Sequence, residues 1–167
     1  MFLKTYNENK MDYKLLSEKK QIAEVKENGY IIRYFENPSE KVQLEAVKYN
    51  GHVIEFIKNP SEKVQLEAIK HNGQAIQHIN NPSEEMKLEA IKEDGSAIKF
   101  IEELSEDLIF LALEKDPFSI RYIKTPSEGM LKFVIRKDWE VINYIENPSE
   151  EIKELAEIHK ELQGWTI

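Results

Sequence analysis

The sequence predicts an all-α fold, an α-solenoid of tandem 22-residue helix-turn-helix repeats, on three observations. First, three consecutive blocks align without a gap. Asn37 to Lys58 reads NPSEKVQLEAVKYNGHVIEFIK, Asn59 to Asn80 reads NPSEKVQLEAIKHNGQAIQHIN, and Asn81 to Glu102 reads NPSEEMKLEAIKEDGSAIKFIE. Second, each block carries its own helix start and stop residues. Third, each carries more apolar surface than one helical hairpin can bury alone, so stacked neighbours must cover it.

In chain order, residues 1–14 are expected to form a degenerate half-repeat capping the start. Six full repeats then cover 15–146, from Leu15–Glu36 through the three blocks above to Glu103–Lys124 and Thr125–Glu146. A seventh, partial copy opens at Asn147-Pro148-Ser149-Glu150, and 147–167 form a C-terminal cap and tail. There a longer amphipathic helix over 148–163 closes the stack, with Trp165 and Ile167 folding back as an apolar lid. No linker or low-complexity run interrupts 1–167, which reads as one domain.

Within a repeat, Asn37 suits an N-cap, Pro38 the first helical position and Glu40 a capping box. Gly29, Gly51, Gly73 and Gly95 stand where a left-handed residue would end the first helix. A shorter second helix is expected over His52 to Lys58. Glutamates such as Glu18, Glu40 and Glu62 fall in first turns, and Lys26, Lys48, Lys70, Lys92 and Arg136 in last turns, matching the helix dipole. Glu114 breaks that rule. The core is expected from Val42, Leu44, Ala46 and Val47, then Val53, Ile54, Phe56 and Ile57.

Composition narrows the function. The 167 residues include no cysteine, which removes disulfides, thiolate zinc sites and cysteine nucleophiles. No apolar run approaches membrane-spanning length, and no secretory signal is visible, so a cytoplasmic location is expected. A net charge of −8 disfavours direct nucleic-acid binding and suits a basic protein partner. The four histidines form no metal-ligand pattern, and no phosphate loop, dinucleotide motif or nucleophile elbow appears. Neither an enzyme nor a cofactor is expected.

The consensus of Asn/Thr-Pro-Ser-Glu, Glu-Ala-Val/Ile-Lys, Asn/Asp-Gly and an aromatic-Ile pair, over about residues 15–160, resembles short helical repeats in uncharacterised proteins of bacteria and their phages. The resemblance implies a tandem α-hairpin architecture. It also implies a setting in which small mobile-element proteins block host defence systems. Two functions are therefore carried forward. One is a non-catalytic protein-binding scaffold. The alternative is a phage or mobile-element inhibitor of a bacterial defence system, its acidic surface filling the basic groove of a nucleic-acid-binding protein.

Candidate residues come from where the repeats break. At the seventh repeat position Gln21, Gln43, Gln65 and Lys87 give way to Ile109 and Leu131. At the ninth, Glu45, Glu67 and Glu89 give way to Leu111 and Phe133. The turn glycine becomes Pro117, followed by Phe118, and then Trp139, so the turn at Trp139 is expected to differ. Lys132 at an apolar position suggests a rotated helix. An aromatic column runs Tyr34, Phe56, His78, Phe100, Tyr122 and Tyr144. These mark Ile109, Leu111, Phe118, Tyr122, Leu131, Phe133, Trp139 and Tyr144 as a partner-binding or homodimer face. Internal repacking, or cover by the C-terminal tail, is the alternative reading of the apolar break.

Overall fold

The computed structural model describes residues 16–164, with side chains from 16 to 162. The expected cap over 1–14 and the lid of Trp165 and Ile167 lie outside the described residues. The fold class is the α-solenoid. Among the described residues α-helices alternate with 3₁₀ helices, and there is no strand. The order is α1 (Glu18–Glu27), η1 (Gly29–Tyr34), α2 (Glu40–Tyr49), η2 (Gly51–Phe56), α3 (Glu62–His71), η3 (Gly73–His78), α4 (Glu84–Glu93), η4 (Gly95–Phe100), α5 (Glu106–Lys115), η5 (Pro117–Tyr122), α6 (Glu128–Lys137), η6 (Trp139–Tyr144) and α7 (Glu150–Gly164). Two compact units divide it: Met1–His71, which holds α1 to α3, and Asn72–Ile167, which holds η3 to α7.

Every central α-helix buries the same three repeat positions. They are Val42, Ala46 and Val47 in α2, Val64, Ala68 and Ile69 in α3, and Met86, Ala90 and Ile91 in α4. In α5 they are Leu108, Ala112 and Leu113, and in α6 Met130, Val134 and Ile135. Residues i, i+4 and i+5 make one helix face. Because α6 buries the same triad, it is not rotated, contrary to the expectation from Lys132. That lysine reaches Glu128 at 2.8 Å and Glu151 of α7 at 2.5 Å, and its hydrogen bond to Glu128 leads the effects that raise its pKa.

The start signal is shifted from the expected reading. The N-cap is Ser39, the helix begins at Glu40, and Pro38 precedes the cap, so no capping box forms. Ser39 makes no side-chain cap bond, whereas Ser83, Ser105 and Ser127 accept from the N–H of Met86, Leu108 and Met130, each at 3.3 Å. Asn37, Asn59, Asn81 and Asn147 instead take a left-handed backbone, with φ of 52°, 50°, 52° and 49°. Asparagine tolerates that region better than most side chains. The Ser and Glu of the motif also join successive repeats. Ser61 Oγ donates to Glu40 Oε2 at 2.8 Å, and Ser39 Oγ donates to Glu18.

The stop signal is corrected too, since among the described residues no glycine has a positive φ. Gly29, Gly73 and Gly95 begin 3₁₀ helices, where a Cβ would lie 2.7, 2.4 and 2.7 Å from the carbonyl oxygens of Ala46, Ala90 and Ala112 in the following repeat. Glycine is there for close approach, not for handedness. The turn itself is built by the preceding residue. Asn28, Asn50, Asn72, Asp94, Asp116 and Asp138 are extended and accept from the N–H two residues on, at 2.8 to 3.1 Å. Hence the turn at Trp139 does not differ from the others, with Asp138 capping η6 as Asn50 caps η2. Pro117 sits at the first position of η5, where a missing N–H is harmless. The shorter second helix expected over His52 to Lys58 is present as a 3₁₀ helix over Gly51–Phe56, and it closes with Ile57 N–H donating to Ile54 at 2.9 Å.

Candidate functional site

In the first unit, the solvent stripe of α2 is Lys41, Glu45 and Lys48. Lys48 bonds Glu45 at 3.0 Å, and Lys26 of α1 reaches the same carboxylate at 3.5 Å. The Lys48 hydrogen bond holds the Glu45 carboxyl below its ordinary range, against a smaller opposing effect of burial. On α3, His71 lies 3.4 Å from Glu67, and Lys63 lies 3.6 Å from Glu40 of α2. In the second unit, α4 keeps a Glu89–Lys92 pair at 3.8 Å. These charges are largely engaged with one another.

On α5 the same three positions are Asp107, Leu111 and Glu114, and on α6 they are Gly129, Phe133 and Arg136. Asp107, Phe110, Leu111, Glu114 and Phe133 line an open groove of about 360 Å³. The rings of Phe110 and Phe133 meet edge-on at 5.6 Å, and Lys137 Nζ lies 5.3 Å from the Phe133 ring. Backbone approach between α5 and α6 is sparser than between α4 and α5 or between α6 and α7. The two rings occupy that gap. In the α5 repeat, Pro117 stands at the position of the close-contact glycines. Asp107 and Glu114 are exposed and make no ion pair among the described residues.

The other candidates go elsewhere. Ile109 and Leu131 are half-buried and pack on the core cluster that includes Leu113, Met130 and Val134. They replace a polar latch, seen where Gln43 and Gln65 donate to the carbonyls of Pro38 and Pro60 at 2.9 and 3.0 Å. Phe118, Tyr122 and Tyr144 lie on the 3₁₀ side. Phe118 meets Tyr144 edge-on at 5.3 Å, and the Arg121 guanidinium stands 4.9 Å from the Tyr122 ring and 5.7 Å from that of Tyr144. Trp139 is half-buried under the ammonium of Lys160, at 5.6 Å. The eight residues therefore fall in separate places, with Leu111 and Phe133 sharing the α5–α6 groove.

A second groove, about 500 Å³, is lined by Arg121, Ile123, Lys124, Pro126, Leu131, Tyr144, Ile145 and Glu146. The first unit repeats it at the same repeat positions with Arg33, Phe35, Glu36, Pro38, Gln43, Phe56, Ile57 and Lys58, in about 390 Å³. The rim charges are reversed between the two, Glu36 and Lys58 against Lys124 and Glu146. The aromatic column borders both grooves and is partly open to solvent, Tyr34 at 54%, Tyr122 at 36% and Tyr144 at 48%.

Sequence reasoning missed Phe110 and Asp107 as groove residues. Phe110 hides at a position that is apolar in most repeats, whereas Asp107 replaces the lysine found at Lys19, Lys41 and Lys63. Among the described residues, no group of His, Asp and Glu is placed to hold a metal, and no helix is long and apolar enough to cross a membrane. Compared with known proteins, the chain matches no family, no curated protein and no solved structure.

Proposed function

We propose that this chain is a non-catalytic protein-binding repeat scaffold whose contact surface is the α5–α6 groove of the second unit. One observation carries the reading. The outer stripe that is charged and internally paired on α2 becomes apolar on α5 and α6, at Leu111 and Phe133, beside an open groove. Apolar side chains in a concave, solvent-open place gain by being covered, and aromatic residues anchor such contacts. The repeated Ser and Glu residues have structural work at the helix starts, which favours binding over catalysis. A cytoplasmic setting suits a chain without cysteine.

The inhibitor reading has less support. The glutamates that would mimic a phosphate backbone include Glu40, Glu45 and Glu89, and each is held by a neighbouring lysine or serine. The test is capture from a bacterial lysate by the full chain and by a Leu111→Glu variant, with bound proteins identified by mass spectrometry. Loss of a specific partner with Leu111→Glu, at unchanged circular dichroism, is the expected result. Equal capture by both would move the site away from this groove.

A further inference from the structure

Building on that reading, we infer that the α5–α6 groove takes a cationic amphipathic helix of a partner protein. Its apolar wall is Phe110, Leu111 and Phe133. Its acidic rim is Asp107 and Glu114, two exposed carboxylates with no ion pair among the described residues. They stand seven residues apart on α5, two helical turns or about 10 Å along the axis. A helix laid along α5 offers the same spacing. Residues seven apart on one face meet the carboxylates, and those three and four along meet Leu111 and Phe133. The complementary face therefore reads Lys or Arg, two residues of any kind, two apolar residues, two of any kind, then Lys or Arg. Helix-in-groove recognition uses this anchor pattern.

Charge selects this occupant over others. An acidic helix would set like charges against Asp107 and Glu114, and a neutral one would leave both carboxylates facing it unpaired. A net charge of −8 steers a cation toward the chain and repels a nucleic-acid backbone. The equivalent places on α2 and α3 hold Lys41 with Lys48 and Lys63 with Lys70, so the same helix is turned away there. A second copy of this chain is a poorer fit. Helix α1 carries the pattern as Lys19, Ile22, Ala23 and Lys26, but Ile22 is half-buried and Lys26 is tied to Glu45 at 3.5 Å.

The test uses the full chain and a variant carrying Asp107→Lys, Leu111→Glu and Glu114→Lys. That variant restores on α5 the Lys–Glu–Lys stripe of α2 and α3, where Glu45 and Glu67 are half-buried as Leu111 is, so it is expected to keep the fold, which circular dichroism checks. A displayed library of single amphipathic helices with randomised faces is selected against the full chain. Fluorescence anisotropy then measures the best binder. The inference expects enriched helices with Lys or Arg seven apart around an apolar pair. It also expects binding at least about tenfold weaker to the variant, and weakened by salt. Enrichment of acidic or uncharged helices, no enrichment, or equal binding to both proteins overturns it. So does sedimentation showing that the full chain self-associates through this face while the variant does not. If lysate capture fails with Leu111→Glu but the selected helices are not cationic, the scaffold reading stands and only the charge assignment falls.

Discussion

Helices α2 and α5 have the same length, the same serine N-cap and the same buried triad, yet face solvent with opposite chemistry. Helix α2 shows Lys41, Glu45 and Lys48. Helix α5 shows Asp107, Leu111 and Glu114. The difference teaches that packing and surface are separately written in this repeat. The triad at i, i+4 and i+5 defines how a helix seats against its neighbours. The outer stripe lies outside that triad and changes chemistry while the triad stays, so it can become a binding face.

The most severe way to break the comparison is to attack the shared frame. Leu113 is fully buried in α5, and Ile69 holds the same position in α3. Replacing either by alanine is expected to cost about 2–5 kcal/mol, measured by urea unfolding. A cost below about 1 kcal/mol for Leu113→Ala alone would mean that α5 does not share the frame. Next in size is Gly73→Ala. Exchanging an exposed glycine for alanine usually stabilises slightly through the unfolded chain. Here the added Cβ would meet the Ala90 carbonyl oxygen at 2.4 Å, so the repeat must shift. A net loss of about 1–3 kcal/mol is expected, typical of an overpacked site. A gain in stability would show that this glycine is kept for some other reason.

That second test bears on what the sequence can reveal. The period, the fold class and most of the buried positions were legible, because a triad repeating every 22 residues leaves one way to stack helices. The local geometry was less so. Asn37-Pro38-Ser39-Glu40 contains two residue types able to cap a helix, and spacing alone does not choose between them. A glycine after a helix reads the same whether it supplies a left-handed turn or room for a neighbour's carbonyl. Only the latter lets Trp139 and Pro117 take its place without changing the turn. The candidate groove was half legible. Leu111 and Phe133 stood out as apolar residues on a polar stripe. Ile109 and Leu131 stood out equally but pack on the core cluster, at a position that is half-buried in the glutamine repeats as well. Glu114 was visible as a charge that defies the helix dipole, but Asp107, seven residues before it on the same helix, matched an ordinary first-turn acid.

The caps of the 3₁₀ helices sharpen the comparison through pH. The first unit uses Asn28 and Asn50, which do not titrate, while Asp94 serves in the second. Burial raises the pKa of Asp94, but hydrogen bonds from Gln74 and Ser96 outweigh it and leave the carboxyl below its ordinary value. A lowered folded pKa gives stability that is full above the unfolded value of about 3.9 and is lost as pH falls through the folded one. Asp94→Asn keeps the cap oxygen and removes the charge. It is expected to flatten the acid limb of the stability curve below about pH 4 relative to the wild type. Identical acid limbs in urea titrations would show that the charge on Asp94 contributes nothing beyond what asparagine supplies.

The smallest effect on stability decides what makes the groove. Carrying the α5 stripe onto α2, as Lys41→Asp, Glu45→Leu and Lys48→Glu, removes exposed ion pairs worth at most about 1 kcal/mol each. It leaves Val42, Ala46 and Val47 untouched. If the stripe alone made the site, α2 would now bind a helix selected on α5. The structure argues otherwise. Position eight on α2 is Leu44 where α5 has Phe110, and the neighbouring helix offers Glu67 where α6 has Phe133. The α2 repeat has Gly51 where the α5 repeat has Pro117, and the backbones of α2 and α3 approach more closely than those of α5 and α6. With no ring pair standing between two spread helices, the graft supplies charges without a cleft. The transplanted α2 is therefore expected to fold and to bind the helix at least about tenfold more weakly than native α5 does. Equal affinity would make the stripe sufficient and the spacing of α5 and α6 incidental.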